Sequence, residues 1–391
     1  MAHLFPYRTE KLSTFAPMVL PCGGRVGRRL LQNPLHNCRG FFYALWFFDL
    51  FSILNSFIWI GSDSVFVIFQ RFYARFYYFM ELTNIFLHLS KIFDMDALDK
   101  IMDALFTPYR ERVPDVGKIV RAMQTAGMIE KESDIENDHV AFRTLGVPNL
   151  GIASFEKIFL HYGYTKEDPY FFAKKKLNAY WYSPPSPNYP RIFISELRVG
   201  DLSVDSQQLI HTFTAPITSD PVDKMDLDKP DQVGAFFHQP LWDLPTFAEY
   251  EALAAESEYA AWVIYNRYYL NHYTISVHQL ADFSTLEKFN AFLESIGVVL
   301  NSAGGTIKVS PDGLLRQSSS VAKLFMAQFS CGTVHEIPGS YVEFAERLPL
   351  PEFRDLPKEK LTRAHRREGF EAGNADKIFE STFREQTQKE K

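Results

Sequence analysis

A histidine, a small residue and an arginine alternate along one short segment, at His139, Ala141 and Arg143. The segment mixes β-branched and aromatic residues and ends at a turn signal, residues 146–149, so we predict a strand. Successive side chains of a strand point to opposite faces, which puts these three on one face, with the outer two about 13 Å apart at Cα. Imidazole is a common metal ligand, and a guanidinium can bind a carboxylate through two hydrogen bonds. The segment could supply half of an active site; the alternative is a structural histidine and a surface arginine.

The same order of elements recurs around His272. Each histidine lies on a predicted strand that is followed by a turn, an amphipathic helix and a glycine. Both helices carry a Glu-Lys pair: Glu156 follows His139 by 17 residues, and Glu287 follows His272 by 15. A repeat of this kind indicates two similar modules. We expect each module to present one histidine to a shared cleft.

Two imidazoles and one carboxylate would form a facial triad, which suits non-haem Fe(II) and leaves coordination positions for substrate and dioxygen. Glu343 is the favoured carboxylate because it lies inside a predicted apolar strand, residues 341–347, where an unpaired charge would be costly. A structural zinc site would instead be closed and usually rich in cysteine. The residues alone leave the third ligand open, because three other side chains compete for it: His278, His335 and Glu336.

Composition and charge argue against several classes of protein. The 391 residues carry a formal net charge of -6, and the pI is near 6.0. We therefore expect no nucleic-acid partner, since no basic stripe with interleaved aromatic residues is present. The three cysteines, Cys22, Cys38 and Cys331, form no disulfide framework. The chain has no glycine-rich phosphate loop, no C-x-x-C pair and no G-x-S-x-G elbow, which disfavours nucleotide-dependent, zinc-finger and serine-hydrolase functions.

The N-terminal part of the chain differs in composition from the rest. Residues 1–40 are basic, with Glu10 as their one acidic residue, and this pattern is compatible with an organelle transit peptide. Residues 41–90 are rich in aromatic side chains. Our interpretations, in order of preference, are a poorly structured or artefactual insert, a hydrophobic helix of the folded protein, and a membrane span. Residues 41–60 have the length of a span, but Asp49 and Asn55 interrupt them, so we do not expect a membrane protein.

From residue 91 to residue 385 the sequence is typical of a globular α+β domain, which we predict to be metal-dependent. Helices are predicted over 96–106 and 116–128, ahead of the first module at about 135–200. Strands at 180–182 and 191–197 complete that module. A helical insert at about 201–260 separates it from the second module at about 261–347, and residues 386–391 form a tail.

Four segments together resemble the 2-oxoadipate dioxygenase/decarboxylase family. They are HVAFRT, NHYT, YVEFAER and GNADKIFEST, at residues 139–144, 271–274, 341–347 and 373–382. Each motif is weak singly and specific in combination, and the resemblance covers about residues 95–385. It implies a fold similar to the vicinal-oxygen-chelate proteins. In that fold two βαβββ modules enclose a central metal cleft, here with added helices.

The resemblance also implies roles for individual residues. His139, His272 and Glu343 match the positions that hold Fe(II), and Arg143 matches the arginine that binds substrate. Gln317 and Ser318 are further candidates for substrate contact. The implied reaction converts 2-oxoadipate and O2 to 2-hydroxyglutarate and CO2, a step of lysine breakdown. The plant branch of the family implies a plastid location, with the cytoplasm as the alternative.

Two other functions compete with this hypothesis. A divalent-metal isomerase or lyase could use the same scaffold, because fold does not fix function. A non-catalytic plastid or membrane-associated protein could instead use the hydrophobic N-terminal segment as its working part. Oxygen dependence separates the first alternative from a dioxygenase, and deletion of residues 1–90 tests the second.

Overall fold

Two helices precede the first strand in the computed structural model, which describes residues 97–390. Helix α1 covers residues 97–112 and helix α2 covers Pro114–Thr125. Pro114 at the start of α2 and Asp115 in its first turn favour helix initiation. The predicted transit peptide and the aromatic segment lie outside the described residues.

The first module contains one helix and four strands. In chain order they are β1 (Asn137–Leu145), α3 (Ile152–His161), β2 (Thr165–Phe172), β3 (Leu177–Ser183) and β4 (Arg191–Leu197). Strand β1 pairs with β4 in parallel, and β3 pairs with both β2 and β4 in antiparallel fashion. The module is therefore a βαβββ unit whose first and last strands are neighbours.

Helices fill the segment between the modules. They are α4 (Val204–Thr214), α5 (Pro230–Phe236), α6 (Phe247–Glu256) and α7 (Glu258–Asn266). Thr246 caps α6 in a capping box with Glu249, and Ser257 caps α7. In the described part of the chain, no helix combines the length and the apolar character needed to cross a membrane.

The second module repeats the first and adds a hairpin. Its elements are β5 (His272–Ser276), α8 (Leu286–Ser295), β6 (Lys308–Val309), β7 (Leu315–Ser319) and β10 (Tyr341–Arg347), and the hairpin consists of β8 (Leu324–Gln328) and β9 (Val334–Pro338). Strand β5 pairs with β10 in parallel, as β1 does with β4. The strand order of the shared sheet is β2-β3-β4-β1-β5-β10-β7-β6. Each half thus places its first strand at the centre, and β1 meets β5 there in antiparallel fashion.

The sequence did not predict strand β2. Its residues, TKEDPYFF, include charged side chains and a proline, which normally argue against a strand. Strand β2 lies at the edge of the sheet and pairs only with β3, so Pro169 need not donate a hydrogen bond to a further strand. A shift in register between Lys166 and Pro169 accommodates the proline within this pairing.

The Glu-Lys pairs are also not equivalent. Glu156 lies in the middle of α3, whereas Glu287 lies in the first turn of α8.

A cluster of aromatic side chains packs helix α3 against the outer face of β1. The ring of Phe155, which is fully buried, lies 4.7 Å from that of Phe142 and 4.8 Å from that of Tyr268, between centroids. Phe237 lies 5.5 Å away. These contacts hold β1 at the centre of the sheet, where its inner face carries His139.

Replacing Phe155 with alanine is expected to lower the free energy of unfolding by about 3–5 kcal/mol, because the surrounding rings cannot close the cavity. Urea denaturation followed by circular dichroism measures this loss. Met326→Ala is the control, since that side chain is 64% exposed on β8, and a change below about 0.5 kcal/mol is expected for it. Equal effects of the two substitutions would contradict this account of the core.

Candidate metal centre

Three side chains from three adjacent strands meet on the inner face of the sheet. His139 Nε2 lies 3.4 Å from His272 Nε2 and 3.4 Å from Glu343 Oε1, and His272 Nε2 lies 3.1 Å from Glu343 Oε2. The side chains of His139 and Glu343 are each 1% exposed. One donor atom from each residue falls within 4.8 Å of the other two, as a shared metal ion requires. Strands β1, β5 and β10 are neighbours in the sheet, which explains how residues so distant in sequence converge.

The other nitrogen of each ring tests whether these residues fit a metal. His139 Nδ1 lies 2.8 Å from Asp138 Oδ1, and His272 Nδ1 lies 3.0 Å from Asn271 Oδ1. Both oxygens accept hydrogen bonds, so each ring donates from Nδ1 and turns the lone pair of Nε2 towards the cluster. Two lone pairs and a carboxylate that face one another need a cation between them. The donor set therefore fits a divalent metal ion.

The charges of the cluster depend on one another. Burial works to raise the pKa of Glu343, but the positive charge that His139 and His272 carry when they are protonated at Nε2 outweighs it, so that the pKa lies well below its usual range. Burial lowers the pKa of His272. Burial also acts to lower the pKa of His139, yet the Glu343 and Asp138 carboxylates raise it above its ordinary value. A carboxylate that stays ionised beside two buried imidazoles is suited to bind a cation.

Gln317 fixes the carboxylate of the cluster, and its neighbour Ser318 does not reach it. Gln317 Nε2 donates to Glu343 Oε1 at 2.6 Å, and Asn374 Nδ2 donates to Gln317 Oε1 at 3.0 Å. Ser318 points to the opposite face of β7, where its hydroxyl donates to Asn290 of α8 at 2.8 Å. Strand alternation separates the two residues. Only Gln317 of this pair contacts the cluster.

The three side chains that competed with Glu343 for the role of third ligand lie outside the cluster. Strand β5 ends at Ser276 and the chain turns into a 3₁₀ helix, Val277–Gln279, so His278 does not continue the face of His272. His278 Nδ1 instead accepts a hydrogen bond from the backbone of Arg347 at 3.3 Å. His335 lies on β9, in the separate hairpin, and its ring stacks on Phe247 at 3.5 Å between centroids. Glu336 lies on the same hairpin.

Arg143 is a buried cation on the same face of β1 as His139. Its guanidinium donates to Thr382 Oγ1 at 2.9 Å and to the carbonyl of Phe379 at 3.0 Å. It also lies 5.2 Å from the ring centres of Tyr259 and Trp262. Within the described residues Nε has no hydrogen-bond partner and the side chain forms no ion pair, although it is 1% exposed. A guanidinium held in this way keeps donors available for a carboxylate.

A C-terminal segment, residues 366–387, covers the face of the sheet that carries these residues. It contains helices α9 (Ala372–Ile378) and α10 (Arg384–Thr387). The ring of Phe370 lies 4.7 Å from that of His139, and Ser381 Oγ lies 2.8 Å from Ser319 Oγ. Together with the contacts of Asn374 and Thr382 described above, these interactions bury the cluster and exclude bulk water.

Comparison with known proteins agrees with this geometry. The sequence profile of the 2-oxoadipate dioxygenase/decarboxylase family matches residues 101–363. A chloroplastic 2-oxoadipate dioxygenase/decarboxylase from Arabidopsis thaliana is 41% identical over 309 residues, which cover 76% of this chain and 80% of that relative. The chain belongs to the 2-oxoadipate dioxygenase/decarboxylase family. This confirms the resemblance found in the sequence, and the name of the relative agrees with the predicted plastid location.

Solved structures support the same assignment. The hydroxyglutarate synthase from Oryza sativa, crystallised in complex with 2-oxoadipate, matches with a TM-score of 0.68 at 41% identity, over 75% of this chain and 94% of that one. A glyoxalase superfamily protein from Ralstonia eutropha JMP134 matches with a TM-score of 0.55 at 20% identity, over 70% and 85% of the two chains. The second match shows the fold alone. Together they confirm the predicted α+β fold of paired vicinal-oxygen-chelate modules for this family member.

An ionic network on the Nδ1 side of His139 was not predicted from the sequence. Arg347 donates to both carboxylate oxygens of Asp138, at 2.6 and 2.9 Å, and Arg191 donates to Asp138 at 3.2 Å. Glu368 completes the network by accepting two hydrogen bonds from Arg191, at 2.6 and 2.5 Å. The acidic residue directly before a candidate ligand, in Asp138-His139, could have indicated a charged partner for that histidine. Its arginine partners are distant in sequence and carry no local signal.

Lys308 is a further buried cation that the sequence analysis did not predict. It pairs with Gln317 across β6 and β7, is 4% exposed, and donates from Nζ to the carbonyl of Asn301 at 2.7 Å. Burial lowers its pKa to about 8, although Glu343 and Glu380 partly offset the effect. The amine is therefore harder to charge in the folded protein than in the unfolded chain.

This pKa difference predicts how stability depends on pH. Between about pH 8 and the ordinary lysine value of 10.5, the unfolded chain binds more protons than the folded one. The free energy of unfolding of the wild type should therefore rise across this window relative to Lys308→Met, by at most about 3 kcal/mol. Urea denaturation of both proteins at pH 7.5 and pH 10 measures the change, since other titrating groups are common to the two. A constant difference between them would contradict the shift.

Proposed function

We propose that this chain catalyses the Fe(II)-dependent conversion of 2-oxoadipate and O2 to 2-hydroxyglutarate and CO2, as a step of lysine breakdown in a plastid. The observation that carries the proposal is the convergence of His139, His272 and Glu343 on one buried point. Membership of the family and the 2-oxoadipate complex of the similar rice protein support the choice of substrate. We assign the activity to a domain at residues 91–385.

His139, His272 and Glu343 would hold the metal through two imidazole nitrogens and one carboxylate. This is the donor set of non-haem Fe(II) oxygenases. Bound there, Fe(II) would supply open coordination positions for the 2-oxo acid and dioxygen, together with the electrons that dioxygen activation needs. Gln317 would keep the Glu343 carboxylate in place, since its amide hydrogen bond is short and buried.

Arg143 would bind one carboxylate of the diacid substrate. Its hydrogen-bond partners among the described residues are neutral oxygens, aromatic rings surround it, and none of the described carboxylates forms an ion pair with it. A buried arginine in this state favours an anionic ligand, and the fixed guanidinium restricts how that ligand can be oriented. The contacts with Thr382 and Phe379 position the guanidinium for this role.

The burial of the site supports an oxidative reaction. The ring of Phe370 packs edge-on against that of His139 at 4.7 Å between centroids, and residues 366–387 cover the cluster. Exclusion of bulk water protects reactive species from side reactions and strengthens the interaction of Arg143 with a carboxylate.

Oxygen uptake by the purified full chain tests the proposal. The chain is loaded anaerobically with Fe(II) and mixed with 2-oxoadipate and O2, while O2, 2-hydroxyglutarate and CO2 are followed together. We expect one molecule of each product for every O2 consumed. A Zn(II)-loaded sample is the control, because zinc has no redox chemistry. Bound Fe(II) without oxygen uptake would refute the proposal, and anaerobic turnover would indicate an isomerase or lyase instead.

A further inference from the structure

Each of the two histidines of the cluster is preceded in the sequence by a residue that holds it. Asp138 precedes His139 and Asn271 precedes His272, and the side-chain oxygen of each accepts a hydrogen bond from the following ring. A side chain in a regular strand points away from its neighbour's face. In β1 the register shifts between Asn137 and Val140, and this irregularity accompanies the contact between the consecutive side chains of Asp138 and His139.

The two holding residues differ in charge. The guanidinium of Arg347 donates to both carboxylate oxygens of Asp138, at 2.6 and 2.9 Å, and Arg191 donates to the same carboxylate at 3.2 Å, so two buried cations hold it as an anion. Asn271 is neutral, and its Nδ2 has no hydrogen-bond partner among the described residues. Both residues are 1% exposed. One imidazole of the pair therefore faces a buried anion, and the other faces a neutral amide.

This difference has a chemical consequence for the ligands. An acceptor at Nδ1 fixes the tautomer and orientation of a metal-binding histidine and increases the basicity of Nε2. An ionised carboxylate does so more strongly than an amide, because hydrogen bonds to charged acceptors are about twice as strong as neutral ones.

We propose that Asp138 and Asn271 are paired positioning residues, one in each module, and that the charge of Asp138 makes His139 the stronger metal donor of the two histidines. This inference rests on the proposed function, because it concerns the same metal centre. It accounts for the side chain with an oxygen acceptor that directly precedes each histidine.

Co(II) binding to the full chain tests the charged member of the pair. Affinity is measured by competition with a chelator, and the visible absorption spectrum reports the ligand field, which a purely structural role would not change. Asp138→Asn is expected to weaken Co(II) binding by about 10–100-fold and to shift the spectrum. Glu368→Gln is the matched control: it removes the other carboxylate partner of Arg191 without touching His139, and binding within about threefold of the wild type is expected.

A second pair of substitutions tests the role of Asn271, the neutral residue of the pair. Asn271→Ala is expected to weaken Co(II) binding by up to about 10-fold, less than Asp138→Asn does. Asn290→Ala is its control, because Asn290 is also a buried asparagine whose Oδ1 accepts one hydrogen bond and whose Nδ2 has no partner among the described residues, but it lies on α8 away from the cluster. If Asp138→Asn does not fold, Asn271→Asp tests the effect of charge and should strengthen binding.

The outcomes separate this inference from the proposed function. A wild-type chain that binds no Co(II) at this site would refute the metal centre itself. Wild-type binding that is abolished by His139→Ala but unchanged by both Asp138→Asn and Asn271→Ala would refute only the positioning roles. A larger loss for Asn271→Ala than for Asp138→Asn would refute the difference in donor strength.

Discussion

Replacing His139 with alanine is expected to abolish metal binding and oxygen uptake. The substitution removes one of three donor atoms, so the loss in metal affinity should exceed the roughly 10–100-fold cost of removing a residue that only hydrogen-bonds to a ligand. The remaining His272 and Glu343 would keep two donors at 3.1 Å from one another, too few to retain Fe(II) against water. Metal content after dialysis, measured by plasma mass spectrometry, gives the first readout, and oxygen uptake with 2-oxoadipate gives the second.

His278→Ala is the matched control for this experiment. His278 is buried like His139, but its ring accepts a hydrogen bond from the backbone of Arg347 and does not reach the cluster. The variant should lose some stability and keep its metal. If His139→Ala retained the metal content of the control, the three-residue centre would be wrong.

Replacing Arg143 with methionine is expected to leave metal content unchanged and to raise the KM for 2-oxoadipate by about 30- to 5,000-fold, the effect of losing a buried charge pair of about 2–5 kcal/mol. Arg143→Lys should recover only part of the loss, because an ammonium cannot form two parallel hydrogen bonds with a carboxylate. Steady-state oxygen uptake with both variants measures the effect. Arg316→Met is the control, since Arg316 forms its ion pairs with Glu287 and Glu346.

A second substrate shows which carboxylate Arg143 binds. 2-Oxohexanoate has the 2-oxo acid group of 2-oxoadipate and lacks its distal carboxylate. If Arg143 binds the distal group, Arg143→Met should affect 2-oxoadipate and leave 2-oxohexanoate unchanged. Equal losses on both substrates would place the guanidinium at the 2-oxo acid end. An unchanged KM for 2-oxoadipate would contradict the role of Arg143 in substrate binding.

Local patterns in the sequence predicted much of the fold. Strand alternation and helical periodicity identified β1, β4, β10 and the helices of both modules, because these signals depend on neighbouring residues. The two copies of the strand-turn-helix order predicted paired modules, and the structure shows them as two halves of one sheet. Strand β2 escaped prediction because its polar composition is tolerated only at the edge of a sheet, a position that the sequence does not reveal.

Residue types and spacing also identified His139, His272, Glu343 and Arg143 as candidates, since their side-chain types limit the chemistry they can do. They could not choose among the competing ligands. That choice depends on where β5 ends and on which strands become neighbours, and the structure brings His272 rather than His278 to Glu343.

The surroundings of these residues depend on contacts between segments that are far apart in the chain. Arg347 reaches Asp138 across 209 residues of sequence, and Arg143 reaches Thr382 across 239. The cover of residues 366–387 and the burial of Lys308 arise in the same way. A buried charge takes its partners from whatever the fold brings within a few ångströms, and contacts at such separations leave no periodic or local pattern in the chain. The sequence therefore determined which groups could react, and the packing of distant segments determined how they are held, charged and shielded.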